Sequence, residues 1–382
     1  MTIPFDYPTL RVIWWGLLGI LLIGFAIMDG FDLGIGILLH RVAHTNDERR
    51  LVLNTIGPIW EGNQIWLILG AGAIFAAWPD VYALAFSGFY FAMLMVLLSL
   101  ILRPVGFKYR SKVHNQHWRA IWDICLFISG FVPALIFGVA IGNVLQGVPF
   151  YYDSSLNVFY TGHFVGLLNP FALLCGVLSV CMLCMHGANF LAIKTMDTIQ
   201  QRAKQCVHYF GLLTLMLFAI AGIWLILFVP GYAITSPAVL DGPSNPLIKT
   251  VIHQPNAWLL NYVKYPLTLL APILGFAGSA LVLCLNRTRF TKLTWLMSAC
   301  SIAGIITTAG VSMFPFILPS STHPNMSLVV WDASSSHLTL FIMLIATILF
   351  LPFIILYTSW VYYTLRGKIT PEFVKQNESH LY

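Results

Sequence analysis

Long apolar runs separated by short polar stretches dominate the chain. Nine of them, at roughly residues 11–39, 50–77, 80–106, 118–145, 162–193, 205–229, 263–285, 293–316 and 337–364, are long enough to cross a hydrocarbon core of about 30 Å as helices of about 20 residues. Only helices or closed barrels satisfy their backbone in lipid, and these runs are far too long for barrel strands. The pattern predicts an all-α polytopic membrane protein with nine transmembrane helices in a single transmembrane domain spanning residues 1–382. Spans 1 to 4 (about 11–145) and 5 to 8 (about 162–316) are expected as two four-helix bundles, with one peripheral ninth helix (about 337–364) and a tail at 365–382. Gly30–Gly34 and Gly138–Gly142 have the small-xxx-small spacing that lets helices approach closely. The polar stretches 146–161, 230–262 and 317–336 are rich in Pro, Gly, Ser and Asn and predict irregular caps.

Charge orients these helices. Hydrophobic residues make up 58% of the chain and charged residues only 9%, and mean hydropathy is +0.82. Five loops, around 40–50, 103–119, 194–204, 286–292 and 365–382, carry 17 of the 20 lysines and arginines. The positive-inside rule makes those loops cytoplasmic, the N-terminus periplasmic and the C-terminus cytoplasmic. The net charge of +6 is thus a topological signal and implies no nucleic-acid partner. The stretch Met1–Thr9 has no basic n-region and no cleavage site follows it, so the first helix is expected to be its own insertion signal. Ten of the twelve tryptophans fall near predicted span ends, as interfacial residues do, leaving Trp60 and Trp66 inside.

Ionisable groups inside a bilayer cost about 2.5–3.5 kcal/mol each and normally face protein or a water-filled cavity. Here they are Asp29, Asp32 and Glu61. Counting at about 1.5 Å per residue from the cytoplasmic ends puts Asp29 at about 16 Å, Asp32 at about 12 Å and Glu61 at about 16 Å. Asp29 and Asp32 share a helix face, as do Glu61 and Gln64, whereas Asn63 is turned away from Glu61. One reading is a hydrated proton pathway formed by Glu61, Asp32, Asp29 and Gln64. The other is cross-helix hydrogen bonding, or pairing with Arg103, as structural glue. Arg103 either snorkels or contacts an anion or quinone oxygen, and Asp123 is expected to pair with Arg119 one turn before it.

The residues point to no catalytic or metal-binding site in the chain itself. Seven cysteines lie in or beside apolar runs, so no disulfide framework is expected. Cys181-Met-Leu-Cys184-Met-His186 has soft-metal residue types, but the same spacing arises in ordinary helix packing. Haem in a bundle needs axial ligands at matched depth, while the intramembrane histidine is His186, with His208 and His337 near span ends. A haem held wholly by this chain is therefore not expected.

A set of ordered blocks carries a family resemblance: MDGFDLGIG at 28–36, NDERR at 46–50, WEGNQ at 60–64, FAAWP at 75–79, RPVGFKYRSK at 103–112, GNVLQGVPF at 142–150, FPFILPSS at 314–321, WDASSSHLTL at 331–340 and the terminal His-Leu-Tyr. Together they resemble subunit II of the cytochrome bd ubiquinol oxidases of proteobacteria over essentially the whole chain. The resemblance implies a respiratory complex of the inner membrane that oxidises ubiquinol and reduces dioxygen to water with cytoplasmic protons. It implies subunit I as partner, holding haem b and haem d, together with small single-helix accessory subunits, membrane lipids and a ubiquinone as a structural ligand near Trp60 or Arg103. It further implies a proton route at Glu61, where Asp is commoner, and an oxygen route at Trp66. His337 stands where a polar, non-basic residue is expected. Two other classes remain open: a secondary transporter, disfavoured because the helices read as unbroken, and a purely structural subunit. Expressed alone, the chain is expected to carry no stoichiometric haem; one haem per isolated chain in a visible spectrum would overturn this.

Overall fold

The computed structural model describes residues 3–236 and 240–370, so the terminal His-Leu-Tyr and most of the expected tail lie outside the described residues. The first run forms α1 (Tyr7–Met28) and α2 (Gly30–Val42), one span interrupted at Asp29. The run expected at 50–77 is not one helix. A short α3 (Asn46–Ile56), opened by a Thr45–Glu48 capping box, ends before Pro58, and α4 (Trp60–Ala77) begins anew. At Trp78 the chain bends by 119° into α5 (Pro79–Gly88), followed by α6 (Tyr90–Tyr109) and α7 (Gln116–Gln146). Then come α8 (Pro170–Lys194), α9 (Asp197–Phe228), the short α10 (Leu260–Lys264), α11 (Leu270–Leu285), α12 (Thr291–Met313) and α13 (His337–Thr364). Among the described residues eight helices are long and apolar enough to span a membrane, or nine if the bent α4–α5 pair is one span.

Helix α8 is the hub, with 78% of its most apolar window buried, and it packs against α2, α7, α9 and α12. On one side α2, α6 and α7 pack in sequence and α4 packs on α1; on the other, α9, α11 and α12 pack with α8. Helix α13, only 11% buried in its apolar window, lies outside against α1 and α4. The seam between α2 and α8 is backbone against backbone. A Cβ on Gly34 would collide with the Leu183 carbonyl, and one on Gly187 would sit 2.8 Å from the Phe31 carbonyl and 2.9 Å from the Ile35 amide. The expected close approach at Gly138 and Gly142 is made likewise, against Cys175 and Ala172 of α8.

Among the described residues the five basic loops, the last of them over 365–370, meet on one face. Arg49 and Arg110 both bind Asp123, at 2.9 and 2.5 Å. The expected Asp123–Arg119 pair is not made, because the two other guanidiniums already occupy the carboxylate and Arg119 turns to Val113 and His114 instead. Arg202 binds Glu48 at 2.9 Å, Lys204 donates to the Thr288 carbonyl, and Lys194 donates to Leu365. Burial pushes the Glu48 carboxyl up, yet the amides of His44 and Thr45 and the Arg202 guanidinium hold it below its ordinary value.

The opposite face differs from the expected irregular caps. It is built on three antiparallel hairpins: β1 (Phe150–Tyr152) with β2 (Val158–Tyr160), β3 (Gly231–Ile234) with β4 (Val251–Gln254), and β5 (Phe316–Leu318) with β6 (Leu328–Val329). Buried Arg11 ties this cap to α1: it donates to Ser334 Oγ at 2.7 Å and to the Leu240 and Gly242 carbonyls, and lies 3.5 Å above the Tyr7 ring. His337 Nε2 donates to the Phe5 carbonyl at 2.8 Å and so ties the segment before α1 to the start of α13.

Gly34→Val is expected to destabilise the chain by at least about 3 kcal/mol, since backbone on α8 leaves no room for a side chain. Gly222→Ala, with nothing within 4 Å of the added carbon, is expected to stay within about 0.5 kcal/mol. Thermal unfolding in mild detergent compares the two; equal shifts would contradict the packing.

Candidate functional site

The interruption between α1 and α2 places the acids. Asp29 keeps helical dihedrals (φ −82°, ψ −23°), its amide reaches the Phe25 carbonyl at 2.9 Å and its own carbonyl accepts from Leu33 at 3.1 Å. The span therefore runs on through Asp29 without unwinding and offers no half-helix site of a transporter; the expectation of unbroken helices fails instead between α3 and α4 and at Trp78. Asp29 stands at the junction before α2 without a side-chain capping bond, and Asp32 lies in the first turn of α2.

Four helices converge on these carboxyls. Arg103 from α6, 3% exposed, places Nη1 2.5 Å from Asp29 Oδ1, so it neither snorkels nor lies free. Asn63 from α4 donates to Asp32 Oδ2 at 2.8 Å, and the Tyr362 hydroxyl from α13 donates to Asn63 Oδ1 at 2.7 Å. Three polar atoms of this buried cluster, Asp29 Oδ2, Asp32 Oδ1 and Arg103 Nη2, have no partner among the described residues. Buried polar atoms are normally satisfied, so such a site favours water or a polar ligand group.

The WEGNQ stretch divides differently from its expected arrangement. Trp60, Asn63 and Trp66 face inward, while Glu61 is exposed and Gln64 half-buried. Glu61 heads a stripe of exposed residues on α4, continuing through Ile65, Ile68 and Phe75, at i, i+4, i+7 and i+14 of one helix face. It makes no contact with the Asp29–Asp32 cluster, because α4 turns Asn63 and not Glu61 toward α2. Gly62, beside Glu61, has open space next to it: nothing lies within 4 Å of an added carbon there. Trp60 stacks on Phe107 at 5.5 Å, and the Trp66 ring is wedged against Gly24 of α1.

Asn63 and Tyr362 are the cluster members that sequence reasoning missed. Asn63 had a signal, since it lies one turn from both Trp60 and Trp66 on the buried face. Tyr362 had none, because a tyrosine near a span end reads as an interfacial residue.

His186 does not fit a haem-iron ligand. Its Nε2 donates to the Ile27 carbonyl at 3.0 Å, its Nδ1 pairs with Ser298 Oγ at 2.7 Å, and its ring stacks on Trp295. Both nitrogens are thus engaged in holding α8 to α1 and α12. Among the described residues no group of three or more His, Cys, Asp or Glu is arranged to hold a metal ion; Cys181, Cys184 and His186 are buried side chains of α8.

A family model described as cytochrome bd terminal oxidase subunit II matches residues 10–365. The chain is 47% identical over 377 residues to the cytochrome bd-I ubiquinol oxidase subunit 2 of Escherichia coli K12, covering 99% of this chain and 100% of that one. It is 31% identical over 363 residues to the cytochrome bd ubiquinol oxidase subunit 2 of Bacillus subtilis, covering 95% and 97%. The fold resembles a chain of the bd oxidase from Geobacillus thermodenitrificans, with a TM-score of 0.68 at 15% identity over 92% of this chain and 97% of that one. With its bilayer-length helices, and with a match over nearly its whole length, the chain belongs to the cytochrome bd terminal oxidase subunit II family, as a multi-pass inner-membrane component of an oxidoreductase complex.

Proposed function

We propose that this chain is the haem-free subunit of a terminal oxidase that takes electrons from ubiquinol and reduces dioxygen to water with cytoplasmic protons, and that it carries part of the proton route. The observation that carries the reading is the buried cluster of Asp29, Asp32, Arg103, Asn63 and Tyr362. Two carboxyls share one guanidinium, so the cluster reaches neutrality by holding one exchangeable proton, and the unpartnered carboxyl oxygens give water two points of attachment. Glu61, on the exposed stripe of α4, is the entry or hand-on point where the partner subunit covers this chain, with Gln64 beside it on the same helix. A carboxyl on an apolar stripe is costly against lipid, which favours a protein partner over bare bilayer at this face.

The same reading assigns haem b and haem d to subunit I, because this chain's buried histidine has both nitrogens engaged. The haems supply the redox chemistry when bound there; this chain's residues hold and move protons and exclude water. Arg103 Nη2 and the Trp60 indole nitrogen, both unpartnered, are the proposed contacts for a bound ubiquinone. Trp66, wedged between α1 and α4, borders the proposed oxygen route. The basic face is assigned to the cytoplasm and the hairpin cap to the periplasm by the positive-inside rule.

Titration and shape are separable at Glu61. In an assembled complex with normal haem content, Glu61→Gln is expected to slow turnover and proton uptake about tenfold or more, and Glu61→Asp to keep much of the activity. Asp32→Asn, which keeps the hydrogen-bonding shape beside Asn63, is expected to behave like Glu61→Gln. Full turnover and full charge translocation in both amide variants would leave these groups as helix glue. For Trp66, an assembled Trp66→Ala complex is expected to change its oxygen affinity more than its quinol affinity; unchanged oxygen kinetics would remove Trp66 from the route.

A further inference from the structure

Outside the carboxylate cluster, the basic end of α2 forms one side of a groove of about 420 Å³ lined by Ile37, His40, Arg41, Ile124 and Phe127. The residues come from two neighbouring helices, α2 and α7, and sort into two chemistries. Ile37, Ile124 and Phe127 form an apolar wall along the helices. His40 and Arg41 sit above them at the last turn of α2, both exposed. Ile124 is 53% exposed, so the wall faces outward.

Arg41 differs from Arg49, Arg110 and Arg202 of this rim. Arg49 and Arg110 are committed to Asp123, and Arg202 to Glu48. Arg41 makes no ion pair or hydrogen bond among the described residues, and neither does the His40 ring. Two guanidiniums on the single Asp123 carboxylate leave local positive charge in excess, so no acid of that network is free to neutralise Arg41. An uncompensated guanidinium and an imidazole over an apolar wall, at the level where a bilayer's core gives way to headgroups, match an amphiphile with an anionic head and a hydrocarbon tail. Basic pockets between transmembrane helices take anionic phospholipid headgroups in this way.

We propose that this α2–α7 groove is a binding site for one anionic phospholipid, its phosphate held by Arg41 and His40 and one acyl chain lying along Ile37, Ile124 and Phe127. The site is separate from the Asp29–Asp32 cluster and involves none of its residues. Its occupant covers apolar surface that water would otherwise meet at the basic rim, and offsets charge that Asp123 leaves unpaired.

The test uses the whole complex, delipidated in mild detergent and titrated with phosphatidylglycerol or with phosphatidylcholine of the same chains, with bound lipid counted by native mass spectrometry. The expected result is one phosphatidylglycerol held in preference to phosphatidylcholine, weakened about fivefold by Arg41→Gln, for the loss of one basic charge near a headgroup. Arg41→Lys is expected to restore binding, and Phe127→Ala to weaken it while haem content stays normal. Equal retention in Arg41→Gln and the parent complex would overturn the proposal, as would equal retention of phosphatidylcholine. So would displacement by inorganic phosphate combined with unchanged binding in Phe127→Ala, which would make the groove a free-anion site. No retained lipid at all would mean that another protein surface covers it, and would equally overturn it.

Discussion

The close passage of α2 between α7 and α8 is the constraint on which the structure turns. At Gly34 and Gly187 the two backbones of α2 and α8 meet without side chains between them, and Gly36 and Gly130 bring α2 similarly close to α7. Lipid tails are as apolar as leucine, so helices in a membrane gain little from hiding apolar surface from one another and associate through tight van der Waals contact. Glycine at the contact makes that contact large. The consequence is positional: with α2 locked on both sides, the acids at its first turn have a fixed place in the protein interior.

Charge then dictates what surrounds them. Neither Asp29 nor Asp32 reaches solvent, and an isolated buried carboxylate is strongly disfavoured. Arg103 answers Asp29 directly, while Asp32 is answered by an amide that is itself held by a phenol. The two acids are thus unequal partners of one guanidinium. His186 contributes at the back of the same seam: by bonding the Ile27 carbonyl just before Asp29, it ties α8 to the end of α1.

The two faces of the molecule are stabilised in different ways. On the basic face, side chains cross-link loops through carboxylates and carbonyls, as in Arg49–Asp123–Arg110 and Arg202–Glu48. On the other, backbone hairpins provide the order, and the buried Arg11 gathers the 240–244 and 334 segments over α1. There the Asp332–Lys249 pair, 2.5 Å apart, is largely buried; burial pushes the Asp332 carboxyl up despite the ammonium beside it.

The sequence by itself determined the class, the number of crossings to within the bent α4–α5 pair, the gathering of basic loops on one face, and the rarity of its intramembrane acids, of which Asp29 and Asp32 but not Glu61 come together. These follow from hydrophobic length, from charge counts and from the rarity of ionisable residues in apolar helices, all of which are properties of the chain in one dimension. Tertiary structure decided which side chains meet. Asn63 rather than Gln64 faces Asp32, because Pro58 and Gly57 restart the helix at Trp60 and so set its rotation anew; counting from Arg50 through a continuous helix could not reveal that. Asp123 takes Arg49 and Arg110 instead of Arg119, because α3, distant in sequence, brings Arg49 within 2.9 Å. Tyr362 joins the cluster only because α13, the outermost helix, packs across α4. Helical periodicity fixes faces within an element, but the angle and register at which elements meet depend on packing among residues far apart in the chain.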